Sequence, residues 1–221
     1  MPCLLLLGSS VVAAPEPELV NIRAVDPTIV VDLRYASARN IGRRPFYAPD
    51  MPALVRPAVA QALAKAQETL RQRGYGLKIW DAYRPKAAHD QLWELTRKMD
   101  YVADPASGGS LHTWGVAVDA TMVDKKGREL KMPTDFDDFT PAAWLRYLGD
   151  DQLVRRHLLT LQSAMARAGF LGLRTEWWHF IVKDWKSYRA VEEPTLSAPA
   201  PARAAASSIS SASAPHLPRS R

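Results

Sequence analysis

Two short segments carry most of the side chains in this sequence that could do chemistry. The first is Ser110-Leu111-His112-Thr113-Trp114-Gly115-Val116-Ala117-Val118-Asp119, and the second is Glu176-Trp177-Trp178-His179-Phe180. Between them they offer two imidazoles, one carboxylate placed as a ligand, and a second carboxylate beside the last imidazole. Two histidines and an acid around a cation leave a coordination position open, which is the donor arrangement of hydrolytic zinc sites. Glu176 is then the spare carboxylate that such a site uses to handle protons. The pattern reads as a zinc hydrolase with His112, Asp119 and His179 as ligands.

Each of these residues taken singly has a plainer role. His112 beside Trp114 could be a satisfied, semi-buried histidine, and His179 a core histidine among aromatics. Asp119 could cap a turn, and Glu176 could pair with Arg174. Taken together, these roles leave a carboxylate unexplained inside the apolar run Val116-Ala117-Val118-Asp119-Ala120-Thr121, where burial is costly unless the acid is paired or metal-bound. His89 and His157 fall in helical segments and His216 in the tail, outside this set.

The spacing constrains the backbone. His112 and Asp119 are seven positions apart, which on one continuous strand would point them to opposite faces. Gly115 is the residue that permits a turn between them, folding His112 back over the strand that presents Asp119. Glu176 and His179 are three apart, a spacing that suits one side of a helix but not a regular strand. The run Trp177-Trp178-His179-Phe180-Ile181-Val182 is too aromatic and β-branched for an exposed helix. A strand is expected there, with Glu176 bending off its first position toward the metal.

The elements that must hold these segments are legible around them. Val59, Leu63, Ala66 and Leu70 form one helical stripe over 57–73, with Gly74 as a C-terminal cap. A strand follows over 75–83, and Pro85 opens a helix to about Met99. A strand over 116–123 sets Val116 and Val118 on one face and Ala117, Asp119 and Thr121 on the other. Val154, Leu158, Leu161 and Met165 mark a helix over 151–168 closed by Gly169, before the last strand at 177–182. Helices and strands mix without a strict βαβ repeat, so the fold class is α+β, with an antiparallel or mixed central sheet backed by helices.

Composition narrows the classes further. Of 221 residues, 47% are hydrophobic, which suits one domain with a real core, placed at 20–191. Cys3 is the single cysteine, so a cysteine-rich zinc site is excluded and any metal must rest on His, Asp or Glu. The net charge is +6, but Arg203, Arg219 and Arg221 in the acid-free tail supply three of these charges. The remaining bases alternate with acids, as in Asp124-Lys125-Lys126-Gly127-Arg128-Glu129, which argues against nucleic acid as a partner. The stretch Cys3 to Ala14 is too short to span a bilayer and ends in small residues before Pro15-Glu16-Pro17-Glu18, so residues 1–14 are expected to be a signal peptide and the protein exported to the periplasm. The Ala/Pro/Ser-rich tail 194–221 is expected to be disordered, because it buries too little to offset its ordering entropy.

The joined motifs resemble a known family. Ser-x-His-x-x-Gly-x-Ala-x-Asp followed by Glu-Trp-Trp-His is similar to the zinc D-alanyl-D-alanine peptidases of the VanX and VanY kind, which share their metal core with the Hedgehog N-terminal domain. The doubled tryptophan, the segment Gly76-Leu77-Lys78-Ile79-Trp80-Asp81-Ala82-Tyr83-Arg84-Pro85, and Asp135-Phe136-Asp137 favour the dipeptidase branch. Trp114 and Ala82 depart from the pattern and bear on pocket shape. The resemblance implies a Hedgehog/DD-peptidase-like fold and one Zn2+ on His112, Asp119 and His179. It implies Glu176 as general base and Arg84 as transition-state stabiliser, with Asp137, Tyr35 and Ser110 around the termini of a small dipeptide substrate. The activity implied is hydrolysis of free D-Ala-D-Ala, in peptidoglycan turnover or glycopeptide resistance. A carboxypeptidase or endopeptidase acting on the polymer is the second reading, and a non-catalytic zinc-binding module the third. Without the resemblance, Arg84 reads as a surface ion pair with Asp81 or Asp90.

Overall fold

The computed structural model describes residues 18–98 and 100–191. The expected signal segment 1–14 and tail 194–221 lie outside the described residues. In chain order the elements are β1 (Val20–Asn21), α1 (Ile22–Val25), β2 (Val30–Val31), β3 (Leu54–Val55), α2 (Pro57–Arg71), β4 (Gly76–Asp81), α3 (Lys86–Thr96), β5 (Ala117–Val123), α4 (Gln152–Arg167), β6 (Phe170–Leu173) and β7 (Glu176–Val182), with short 3-10 turns between them. Five strands form the main sheet in the order β2-β4-β5-β7-β6, while β1 and β3 pair separately. The β2–β4 pair is parallel and every other pair in that sheet is antiparallel, so the sheet is mixed, as the sequence implied.

The helices form for the reasons their sequences suggest. Along α2 the stripe Val59, Leu63, Ala66 and Leu70 is buried. The helix closes as Tyr75 N–H reaches Leu70 O at 3.1 Å, with Gly74 at φ 80°. Asp151 caps α4, its Oδ1 accepting from Leu153 N at 2.8 Å and Val154 N at 3.2 Å. Helix α3 ends at Thr96 rather than near Met99, because Arg97 turns into the left-handed region at φ 45°. The two-residue strands β1, β2 and β3 are too short to leave a periodicity in the sequence.

Strand β5 divides the molecule. Val116, Val118, Ala120 and Met122 join the main hydrophobic core with Leu63, Leu158, Leu161 and Met165 from α2 and α4. Asp119 and Thr121 point the other way, as alternation along a strand requires. The neighbouring strands then bring Asp81 opposite Asp119, and Asp119 opposite His179. Two irregularities set this row. On β4, Ile79 faces Ala120 but Asp81 faces Asp119, so Trp80 is an extra residue in a bulge. Without it Trp80, not Asp81, would stand opposite Asp119. On β7, Phe180 faces Gly172, but the adjoining Leu173 faces Glu176. Trp177, Trp178 and His179 therefore stand outside the regular β6–β7 ladder, which relaxes the alternation that a spacing of three would violate.

Gly115 makes the turn expected of it, at φ 69°, and its N–H bonds His112 O at 3.0 Å. A Cβ at this position would lie 2.5 Å from Leu19 Cδ2. Gly115→Ala should therefore lose roughly 1–2 kcal/mol of stability, the cost of a left-handed conformation for an L-residue. A urea midpoint equal to wild type would show that the turn makes no such demand.

Candidate metal centre

His112 rides on the 3-10 turn Leu111–Trp114, which is capped by Ser110: Ser110 Oγ accepts from His112 N at 3.2 Å. The ring is fixed from behind. His112 Nδ1 lies 2.8 Å from Ala82 O, and because a carbonyl only accepts, Nδ1 carries the proton. In the neutral ring Nε2 is then the lone pair, and it is aimed into the site as a metal-bound imidazole requires.

Three donor atoms converge in front of it. His179 Nδ1 lies 2.9 Å from Asp119 Oδ1 and 3.1 Å from His112 Nε2, and His112 Nε2 lies 3.4 Å from Asp119 Oδ1. A tetrahedral zinc with bonds of about 2.0–2.1 Å separates its ligands by roughly 3.3 Å, so this triangle matches one face of such a polyhedron. Two ring nitrogens and a carboxylate oxygen at these separations repel one another unless a proton or a cation lies among them. The chemistry of the donor set therefore fits a divalent metal.

The surrounding charges support the same conclusion. Burial alone would push Asp119 up, but the two imidazoles and their hydrogen bonds outweigh it and hold the group well below the usual carboxylate range. Burial lowers His179 against the opposing pull of Asp119, favouring the neutral ring that binds metal. Glu176 is pushed well above its ordinary value by burial and then by Asp119 and Asp137, with Arg84 opposing. Its Oε1 is buried and has no hydrogen-bond partner among the described residues. Asp137 is raised to about 7 by burial, although Ile41 N–H and the Tyr35 hydroxyl each donate to it at 3.0 Å. Asp81, Asp119, Asp137 and Glu176 thus crowd around the Arg84 guanidinium. A divalent ion held by His112, Asp119 and His179 would add positive charge beside Glu176 and favour its ionised form.

The sequence-derived residues gather here. Arg84 is buried, with Nε and Nη2 at 3.0 and 2.8 Å from Asp81 Oδ2 and Nη2 at 3.8 Å from Asp119 Oδ2. The Asp81 pairing read from the sequence is correct, but the pair is interior rather than at the surface. Tyr35 lies under the guanidinium, its ring centroid 4.9 Å from Arg84 Cζ. Ser110 spends a hydroxyl lone pair on capping the His112 turn and keeps its proton to donate.

Sequence reasoning passed over Asp81 and Tyr47 as parts of the site. The Tyr47 hydroxyl donates to Asp81 Oδ1 at 2.7 Å, across 34 positions of chain that no local pattern joins. It also set His89 aside. That residue is buried on α3, with its Nε2–H donating to Ala103 O at 2.9 Å. Burial and then the nearby Arg84 charge lower it to about 4, so it is neutral. Around these groups stands an aromatic wall of tilted and edge-to-face contacts. Tyr35–Phe136 ring centroids are 5.3 Å apart, Trp80–Trp177 5.5 Å and Phe136–Trp178 5.8 Å.

A mixed sheet that presents a His/Asp/His triad beside a carboxyl with one unpartnered oxygen and a clamped arginine defines a metallohydrolase. The chain belongs to the D-Ala-D-Ala dipeptidase family, whose pattern residues 15–196 match. It is 34% identical over 171 residues to the D-alanyl-D-alanine dipeptidase of Escherichia coli strain K12, covering 77% of this chain and 88% of that protein. It is 28% identical over 172 residues to the D-alanyl-D-alanine dipeptidase of Enterococcus faecium, covering 69% and 85%. Among solved structures it is similar to a mutant of the vancomycin resistance D,D-pentapeptidase VanY in complex with Zn(II), at TM-score 0.40 and 16% identity, covering 62% of this chain and 77% of that one.

Three protein ligands cannot spare a member. His179→Ala, His112→Ala and Asp119→Ala should each lose most bound zinc, measured by elemental analysis after dialysis. Full occupancy in His179→Ala would remove that residue from the ligand set.

Proposed function

We propose that this chain is a zinc-dependent dipeptidase that hydrolyses free D-Ala-D-Ala to D-alanine, with one ion on His112, Asp119 and His179. The observation that carries this reading is the convergence of His112 Nε2, Asp119 Oδ1 and His179 Nδ1 beside the unpartnered Oε1 of Glu176, in a chain of the dipeptidase family. Zinc, when bound, supplies a Lewis acid that lowers the pKa of its water to about 7. Glu176 takes the proton of the attacking water and passes it to the leaving amine, the double duty of a carboxylate beside a hydrolytic metal. Arg84, held rigid by Asp81, meets the negative charge that develops on the carbonyl oxygen. Asp137 and the Tyr35 hydroxyl face the substrate ammonium, and the Ser110 hydroxyl lies toward the substrate's other end.

Enclosure favours the free dipeptide over a polymer. Arg84, Ser110, Asp137, Glu176 and His179 are all at most 8% exposed, whereas a carboxypeptidase acting on stem peptides needs an open groove. A peptide extended beyond the ammonium would leave Asp137 buried against a group that cannot neutralise it, and the chain would reject it on that ground. A non-catalytic zinc module has no use for a buried carboxyl with a free oxygen at Glu176.

Two variants test the reading. Glu176→Ala should keep fold and zinc while losing roughly 10²–10⁴-fold in turnover. Asp137→Asn should reduce kcat/KM for D-Ala-D-Ala strongly but change little the already slow hydrolysis of N-acetyl-D-Ala-D-Ala, which has no ammonium. Near wild-type hydrolysis by Glu176→Ala would sink the mechanism. Equal proportional losses of Asp137→Asn on both substrates would assign that residue to general support.

Export is a separate proposal, supported by the apolar stretch Cys3 to Ala14 and the small residues before Pro15. Mature protein from the cell envelope should begin near Pro15. N-terminal sequencing that finds Met1 on cytoplasmic protein would overturn it.

A further inference from the structure

We infer that Asp81 and Tyr47 form a positioning pair that aims the Arg84 guanidinium during the reaction; this rests on the dipeptidase reading above. Asp81 is fully buried, and every close group around its two oxygens is a donor. Oδ1 accepts from the Tyr47 hydroxyl at 2.7 Å and from Ala82 N–H at 2.9 Å. Oδ2 accepts from Arg84 Nε at 3.0 Å and Nη2 at 2.8 Å, with His112 Nδ1 at 3.5 Å. Four donors match the lone-pair capacity of an ionised carboxylate. The acid therefore has no hydrogen-bonding capacity left for substrate, and what it does must pass through the groups it holds.

Of those groups Arg84 is the one with freedom to lose. A guanidinium on a long, flexible stem loses that freedom when it orders, and one already clamped has less to lose at the transition state. The clamp uses Nε and Nη2 and does not involve Nη1. Tyr35 backs the same guanidinium from one face. His112 by contrast already has its own Nδ1–H partner in Ala82 O at 2.8 Å, so the metal ligand does not depend on Asp81. Tyr47 helps to fix the orientation of the carboxylate from the far side: with Ala82 N–H it holds Oδ1, which leaves Oδ2 facing Arg84. Tyr47 also ends the segment whose Ile41 N–H donates to Asp137, so one stretch of chain reaches both acids that flank the metal triad.

The test uses zinc-loaded, full-length protein. Asp81→Asn and Tyr47→Phe should retain zinc and the wild-type urea midpoint within a small shift. KM for D-Ala-D-Ala should stay near wild type while kcat falls, by about 10²-fold for Asp81→Asn and about 10-fold for Tyr47→Phe, in line with loss of one preorganised donor. Affinity for a phosphinate analogue of the D-Ala-D-Ala tetrahedral intermediate, measured by calorimetry, should fall by the same factors. On an Arg84→Lys background, where the planar fork is gone, each substitution should add less than about threefold, since the residues act through Arg84. Equal factors on both backgrounds, or loss of zinc from Asp81→Asn, would overturn the proposal. If Asp81→Asn fails to fold, Tyr47→Phe, which removes one hydroxyl, carries the same cycle. A wild type that neither hydrolyses the dipeptide nor binds the phosphinate overturns the dipeptidase reading and this proposal with it. An active wild type with additive losses overturns this proposal alone.

Discussion

Four carboxyl groups buried around one guanidinium are the constraint on which the rest of the site depends. In water such groups would repel weakly. Inside the protein their repulsion and desolvation are large, and the acids respond in different directions. Asp119 stays ionised because two imidazoles face it, while Glu176 and Asp137 are driven toward the neutral form. A divalent ion on the triad would relieve this imbalance, and in the proposed reaction so would an ammonium at Asp137. The protein's own side chains thus leave a charge imbalance that a metal and a zwitterionic dipeptide both correct.

That crowding is possible only because the sheet aligns its charges. Asp81, Asp119 and His179 sit in one cross-strand row on three adjacent antiparallel strands. A bulge at Trp80 shifts β4 by one residue, which exchanges Trp80 for Asp81 opposite Asp119. The departure at Gly172/Leu173 frees Glu176 and His179 from strict alternation. Bulges beside active sites re-aim side chains in this manner. The aromatic wall of Tyr35, Trp80, Phe136, Trp177 and Trp178 fills the space around the row, keeping the dielectric low where the chemistry needs it.

Rigidity and enclosure go together here. The segment ending at Tyr47 is tied to Asp81 through a hydroxyl and to Asp137 through Ile41 N–H. Those bonds tie the segment to two of the acids beside the triad. The side chains of the candidate site are held by backbone and buried partners: His112 by Ala82 O, Arg84 by Asp81, Asp137 by Tyr35. These holds do not rely on exposed ion pairs, which would be worth little in water.

The chain's local chemistry is legible in its sequence. The triad and Glu176 declare themselves by residue type, since a carboxylate within Val-Ala-Val-Asp-Ala-Thr has no inexpensive apolar explanation. The turn at Gly115 follows from parity alone, and the stripes of α2 and α4 from helical spacing. These are local signals, carried by residues a few positions apart. The strands β1, β2 and β3 are not legible, because two residues cannot show a period. Asp81 and Tyr47 escape notice as members of the site, and Arg84 looks like a surface residue, because their bonds join positions that only folding brings together. Above all, whether Asp81 or Trp80 faces Asp119 depends on a one-residue bulge, and a bulge is decided by how neighbouring strands pack rather than by the strand's own composition. Residue types determine which groups could do chemistry; register and burial decide which of them meet and in what state of charge.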